Sequence, residues 1–152
     1  TIIHQIQSIL RINKIEVGNN ISAEISHHYG IENFNQNGLF IINQINKEYC
    51  KKLLIMLPGQ VHPEQYHIKK QETFHVVLGS LKLTLDGINK NLKKGDIITI
   101  ERGVRHEFST DTVCIIEEIS STHYRDDSFY TDEKINMMDP ISRKTIIEDF
   151  YV

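Results

Sequence analysis

The sequence of 152 residues contains no tryptophan, only two cysteines and no large excess of either charge. Cys50 and Cys114 both lie in apolar stretches, which excludes a disulfide framework and predicts buried free thiols of the kind found in a reducing compartment. The 17 basic and 20 acidic residues give a net charge of −3, so electrostatics gives no support to binding nucleic acid or a membrane surface. The longest apolar runs, such as Leu53 to Leu57, are far too short to span a bilayer.

The length indicates one globular domain with a single core. The first residues lack the basic, apolar and small-residue succession of a signal peptide, and we expect a cytoplasmic protein. Eight histidines are many for this size, and three of them, His62, His67 and His75, fall within a short central stretch.

Short segments rich in β-branched and aromatic residues follow one another after Gly38, separated by turn signals such as Pro58-Gly59 and Lys94-Gly95. Asp86-Gly87 between two such segments predicts a tight hairpin, because glycine tolerates the positive φ that these turns require. Many short strands with hardly any helix predict an antiparallel sandwich or barrel. We predict strands at 39–45, 51–57, 65–69, 73–78, 81–85, 88–92, 96–100, 107–109 and 113–119.

The ends of the chain are expected to flank this barrel. Residues 1–20 form an N-terminal extension, either a short amphipathic helix or a strand, and residues 21–128 form the barrel. Residues 23–37 are expected to be loop, with at most one helical turn. Residues 129–152 form a C-terminal tail that packs on the barrel exterior or on a partner, with a possible last strand from Lys144.

A candidate metal site lies in the centre of the sequence. Gln65 and His67 are two apart on a predicted strand and therefore share one face. Glu72 begins the next strand, and a second strand pair would bring His106 toward the same interior. Imidazole nitrogens, a carboxylate and an amide oxygen form a mixed N/O set suited to Zn, Mn, Fe, Ni or Co.

These residues and the glycines around them resemble the two motifs of the cupin superfamily. Gly59, His67, Glu72 and Gly79 match the first motif, and Gly95, Gly103 and His106 match the second. Gln65 stands where a histidine is usual, Glu101 where a proline is usual, and Thr110 at a position where asparagine is usual. The resemblance implies an all-β fold of the double-stranded β-helix or jelly-roll type and a divalent transition metal held by Gln65, His67, Glu72 and His106.

Two narrower resemblances suggest a carbohydrate as the ligand. Strings such as ISHHYGIENF and LKKGDIITIERGVRHEFS resemble the cupin domain at the C-terminus of some sialic-acid synthase-type proteins. The stretch Tyr66–Glu72 is similar to the metal motif of D-lyxose isomerases. The separate barrel in which such synthases perform their condensation takes about 250 residues, so this domain is not expected to perform that reaction alone.

Several other residues near these motifs have competing roles. Glu118 is our candidate for a general base. Lys69 is our candidate for an oxyanion contact, because it lies an even number of positions from Gln65 and His67 and would face the same side of a continuous strand. A solvated strand end and an exposed lysine are their ordinary alternatives. His62 is an outside candidate for a ligand, since Pro63 argues against a continuous strand there. We expect His27 and His28 in a surface loop, with a role in covering the site as the alternative, and His75 outside the barrel or at an interface.

Three hypotheses for function follow. The first is a metal-dependent cupin that isomerises or epimerises a sugar in a sialic- or nonulosonic-acid-type pathway. The second is a non-catalytic sugar-binding or oligomerisation module of a synthase-type protein. The third, an oxygen-dependent dioxygenase, requires redox-active iron and fits the strings less well. By resemblance we expect a small sugar ligand and a homodimer.

Overall fold

The computed structural model describes all residues 1–152 and contains two antiparallel sheets. The first sheet has seven strands in the order β12-β1-β2-β3-β10-β5-β8, and the second has five in the order β11-β4-β9-β6-β7. The strands are β1 Ser22–Ser26, β2 Leu39–Asn46, β3 Tyr49–Met56, β4 Val61–Tyr66, β5 Glu72–Leu78, β6 Ser80–Leu85, β7 Ile88–Lys93, β8 Ile97–Ile100, β9 His106–Ser109, β10 Cys114–Ser121, β11 Phe129–Tyr130 and β12 Lys144–Ile147. The predicted all-β barrel is confirmed.

Helix α1 (Ile2–Ile12) resolves the alternatives for the N-terminus in favour of a helix. The Thr1 side chain caps it by accepting from the His4 N–H. Ile6 and Leu10, one turn apart, are fully buried and pack with Leu53, Ile55 and other outer-face residues of the larger sheet. A second helix, α2 (Glu133–Asn136), and 3-10 turns at Ile31–Asn33 and Pro140–Arg143 complete the elements. No helix here is both long and apolar enough to cross a membrane.

The two sheets enclose a second apolar cluster, and its arrangement positions the site. Strands β3 and β10 pair in register, and their inward-facing residues change from apolar to polar along the strands. These inward pairs, in order, are Met56–Cys114, Leu54–Ile116, Lys52–Glu118 and Cys50–Ser120. Both cysteines are free and buried, as predicted. The barrel therefore has one end packed like an ordinary core and one end lined by polar and charged groups.

The hairpin predicted at Asp86-Gly87 joins β6 to β7, and both turn residues have positive φ, 47° and 80°. The stretch 23–37 is predicted to be loop, but most of β1 lies there. It pairs with β2 on one side and with β12 from the C-terminus on the other. Strand β12 lies more than a hundred residues from β1 in the sequence, and local sequence patterns do not reveal such a pairing.

Candidate metal centre and its cavity

His67, Glu72 and His106 meet at the polar end of the barrel, as predicted. Their ligand atoms lie within 4.8 Å of one another, and all three side chains are buried. Glu72 Oε1 is 3.0 Å from His106 Nε2 and 3.6 Å from His67 Nε2. Glu72 opens β5, while His106 opens β9 in the opposite sheet. The cluster thus joins the two sheets.

The hydrogen bonds of the two imidazoles fix which nitrogens face the cluster. His67 Nδ1 lies 2.8 Å from the Asp127 carbonyl oxygen, and His106 Nδ1 lies 3.0 Å from the Val104 carbonyl oxygen. A carbonyl only accepts, so Nδ1 carries a proton in each ring and Nε2 is the nitrogen that faces the cluster. Glu72 Oε1 and His106 Nε2 are buried without a hydrogen-bond partner.

Three electron-pair donors that converge in a buried site favour a positive charge between them. Burial lowers the pKa of His106, but the adjacent Glu72 carboxylate outweighs this effect and raises the pKa above its usual value. Burial would raise the pKa of Glu72, yet Lys70 and the two imidazoles hold it well below its usual value, so Glu72 is a carboxylate. Two imidazoles and one carboxylate are a suitable donor set for a divalent transition metal.

Gln65 lies beside this cluster. It pairs with His106 across β4 and β9, so the two side chains leave the sheet on the same face. Gln65 is 8% exposed and lines the cavity next to His67. Its amide oxygen therefore remains our candidate for a fourth ligand.

Lys70 connects the cluster to Glu118. Its ammonium lies 3.2 Å from Glu72 Oε2, 3.4 Å from Glu118 Oε2 and 3.4 Å from His123 Nδ1. Burial lowers the pKa of Lys70, but Glu118 and Glu72 raise it above the usual value, so the ammonium stays charged. Burial and the nearby lysines lower the pKa of His123 to about 2. His123 is therefore a neutral acceptor.

Lys69, the residue singled out by strand parity, does not reach the cavity. Its side chain is 54% exposed, and its ammonium lies 3.9 Å from the exposed Asp126. Strand β4 ends at Tyr66, and the chain turns through the next residues, so alternation stops before position 69. Lys70 points inward in its place, which corrects the parity argument. Glu118 does face the cavity, whereas Glu117 faces outward near Lys51.

A cavity of about 90 Å³ opens beside the cluster. That space corresponds to roughly six water molecules, which suits a small ligand with several hydroxyl groups. Its walls carry 22 residues, of which only six are hydrophobic. Apolar residues such as Leu54 and Phe74 form part of the wall next to the packed end of the barrel.

Two more histidines, His28 and His62, form part of this wall. His62 stacks on Phe108 with ring centroids 4.7 Å apart, and His28 Nε2 lies 2.9 Å from the Tyr130 hydroxyl. Strand β4 continues through Pro63 with a register shift between His62 and Gln65. This bulge lets two residues three apart both face inward. His27 and His28 are 8% and 3% exposed, so the surface-loop expectation was wrong. His75 is on the outer face, as predicted.

The C-terminal region contributes residues that sequence patterning missed. Ser128, Tyr130 and Arg143 line the cavity, so the region after the barrel helps to enclose it rather than only covering the exterior. Asp127 is 2% exposed, and its carboxylate accepts from the backbone N–H groups of residues 68, 69 and 70. Because its carbonyl also holds His67, Asp127 positions both His67 and Lys70. The adjacent acidic pair in YRDDSFY was the only local signal of this role.

Comparisons with known proteins agree with this geometry. The Cupin domain family model matches residues 52–116, the stretch that contains Gln65, His67, Glu72 and His106. The D-lyxose/D-mannose isomerase of Thermosediminibacter oceani is 26% identical and aligns over 74% of this chain and 78% of its own length.

Solved structures share the fold. The L-ribose isomerase of Cellulomonas parahominis with L-psicose superposes with a TM-score of 0.74 at 15% identity, covering 89% of this chain and 91% of the other. The L-ribose isomerase of Geodermatophilus obscurus gives 0.72 at 15% identity, covering 88% and 91%. The chain has the cupin fold predicted from its motifs, with a short N-terminal helix added.

Proposed function

We propose that this protein is a metal-dependent cupin that isomerises or epimerises a sugar. The observation that carries the proposal is the convergence of two imidazole nitrogens and one carboxylate oxygen beside an enclosed polar cavity. Such a donor set holds a divalent ion firmly while leaving coordination positions for a ligand. The named activity of the D-lyxose/D-mannose isomerase relative supports a sugar as that ligand.

His67, Glu72 and His106 would hold the ion, with the amide oxygen of Gln65 as the fourth ligand. When bound, a divalent ion polarises a carbonyl and the neighbouring hydroxyl of a sugar, which makes the intervening C–H more acidic. Zn, Mn, Fe, Ni and Co all suit these donors. The cavity beside the donors would surround a bound sugar with side chains from both sheets.

Glu118 is the group best placed to move the proton. It faces the cavity from β10 and is 5% exposed, and its carboxylate lies across Lys70 from Glu72. A carboxylate here removes a proton from one sugar carbon and returns it to the neighbouring one. Lys70 keeps Glu118 oriented and supplies a fixed positive charge beside the developing oxyanion. Lys70 thus takes the role first assigned to Lys69.

The test combines metal analysis with proton exchange. Purified protein is expected to carry about one transition-metal ion per chain and to exchange the C2 proton of an aldose with D₂O, followed by NMR. Glu118→Gln should abolish exchange and leave the metal in place. Glu117→Gln is the matched control, because that neighbour faces outward near Lys51. Metal without exchange across a panel of aldoses, ketoses and N-acylamino sugars would refute the isomerase.

A second candidate is a sugar-binding or oligomerisation module without turnover. Gln65 favours it, since an amide oxygen is a weaker transition-metal ligand than the imidazole usual in the motif. The resemblance of strings such as LKKGDIITIERGVRHEFS to the cupin domain of sialic-acid synthase-type proteins supports a place in a sialic- or nonulosonic-acid-type pathway. In that setting the protein would be a cytoplasmic homodimer. Tight sugar binding without exchange, together with a dimer in light scattering, would favour this candidate.

A further inference from the structure

The charges on the cavity wall do not balance. The wall carries five cationic side chains and three acidic ones. Each acidic residue already has a lysine partner: Glu24 lies 3.5 Å from Lys144, and Glu72 and Glu118 share Lys70. The cationic residues left without a carboxylate are Lys52, Arg125 and Arg143. A divalent metal would increase this positive excess further.

Lys52 is the most unusual of these cations. It is 5% exposed, lines the cavity from β3, and forms no ion pair and no hydrogen bond. Glu118 stands directly opposite it in the β3–β10 register, but its carboxylate turns to Lys70. An ammonium at the wall of a cavity is poorly stabilised when no carboxylate or carbonyl of the chain pairs with it. Such a group persists in a fold when something outside the chain pairs with it.

Arg143 adds a second buried positive charge to the same wall. It is 8% exposed, and its guanidinium stacks over the Tyr130 ring with Cζ 4.9 Å from the centroid. The guanidinium makes a single hydrogen bond, of 3.5 Å, from Nη1 to the Ile135 carbonyl oxygen. Guanidinium donors without acceptors in a cavity are available to a bound anion.

We infer that the sugar taken by this cavity carries an anionic group, a carboxylate or a phosphate, which pairs with Lys52 in the field of Arg143. The inference rests on the proposed function and narrows its substrate class. The metal-facing donors hold the reacting oxygens, and Lys52 holds the charged end. A neutral aldose leaves Lys52 unpartnered and therefore binds more weakly than its charged analogue.

Binding of matched sugars to the metal-loaded protein tests this directly. The probes are neutral hexoses of gluco, manno and galacto configuration, their uronates and their 6-phosphates, with affinity measured by calorimetry. At least one charged form is expected to bind ten times or more tighter than its neutral parent. The uronate and phosphate arms identify which anion is used. Equal or weaker binding of every charged form would overturn the inference.

Lys52→Met separates ligand pairing from a structural role. It should reduce the affinity for the preferred charged sugar at least tenfold and change that for the neutral parent less than twofold. It should also raise the melting temperature of the ligand-free protein, because an unpartnered buried charge is removed. Lys51→Met is the matched control, since this neighbour faces outward beside Glu117 and is 39% exposed. A Lys52→Met protein with unchanged affinity for the charged sugar would refute the pairing.

The isomerase proposal and the anion-site inference can be tested separately. Binding of charged sugars without exchange of the C2 proton would refute the isomerase and support the anion site. Exchange of the C2 proton of neutral sugars, in a protein that binds neither the uronates nor the phosphates, would support the isomerase and overturn the anion site.

Discussion

Replacing Asp127 by alanine should damage both the fold and the metal site. The buried carboxylate accepts three backbone N–H groups, at 3.0 Å from residues 68, 69 and 70. A hydrogen bond to a charged group contributes about 1.5–3 kcal/mol. Ile68 and Lys69 are exposed, so water replaces part of what is lost. We expect the free energy of unfolding to fall by about 3 kcal/mol.

Two measurements check this expectation. For a chain of this size, about 3 kcal/mol corresponds to roughly 6–12 °C in melting temperature. Because the turn also carries Lys70, and Asp127 places its carbonyl against His67, metal affinity should fall about 10- to 100-fold. Asp126→Ala is the control, since its side chain is 80% exposed and its ion pair with Lys69 is long. A melting temperature within 2 °C of the parent and an unchanged metal affinity would refute the positioning role of Asp127.

Three further expectations concern other parts of the chain. Gln65→His should raise the affinity for Zn or Ni at least tenfold in a competition titration, and an unchanged affinity would place position 65 outside the ligand set. Burial, Arg143 and His27 lower the pKa of His28 to about 3, so stability is full above about pH 6.5 and is lost as the pH falls toward 3. Urea unfolding at pH 4.5 should show a loss of stability that is about 2–3 kcal/mol smaller in His28→Gln than in the parent. Equal losses in both proteins would contradict this expectation. Gly79 has a φ of 75°, and an added Cβ would overlap the Val113 carbonyl oxygen, whereas a Cβ added at Gly87 would contact no atom. Gly79→Ala should therefore lower the melting temperature far more than Gly87→Ala. Similar effects of the two substitutions would contradict the overlap.

Most of the barrel could be predicted because its signals are local. The apolar stretch at Val113–Ile119 became β10, and Asp86-Gly87 became the β6–β7 turn. The helix at the N-terminus remained open because its apolar spacing is irregular, and packing on the outer face of the larger sheet decided it. Strand β1 escaped prediction, since its two hydrogen-bonded neighbours come from other parts of the chain.

The candidate site also has a part that local spacing predicted and a part that it did not. Motif spacing brought His67, Glu72 and His106 together correctly, because those residues follow strand ends and turns of fixed length. The rule that side chains alternate between the two faces of a strand did not hold where the strand was irregular. The bulge after His62 and the end of β4 before Lys70 both change which side chain faces inward. The contribution of Arg143 depends on the path of the tail, which no short pattern encodes.

The C-terminal region pairs β11 with β4 in one sheet and β12 with β1 in the other. The residues that would hold a metal all lie between 65 and 106, whereas six of the cavity-lining residues come after position 124. The candidate metal donors and the part of the wall that comes from the tail therefore lie in separate stretches of the sequence, while Lys52 and Glu118 reach the cavity from β3 and β10. Point changes, or exchange of the last thirty residues between related chains, can alter which ligand is admitted while the strands that carry the donors stay unchanged.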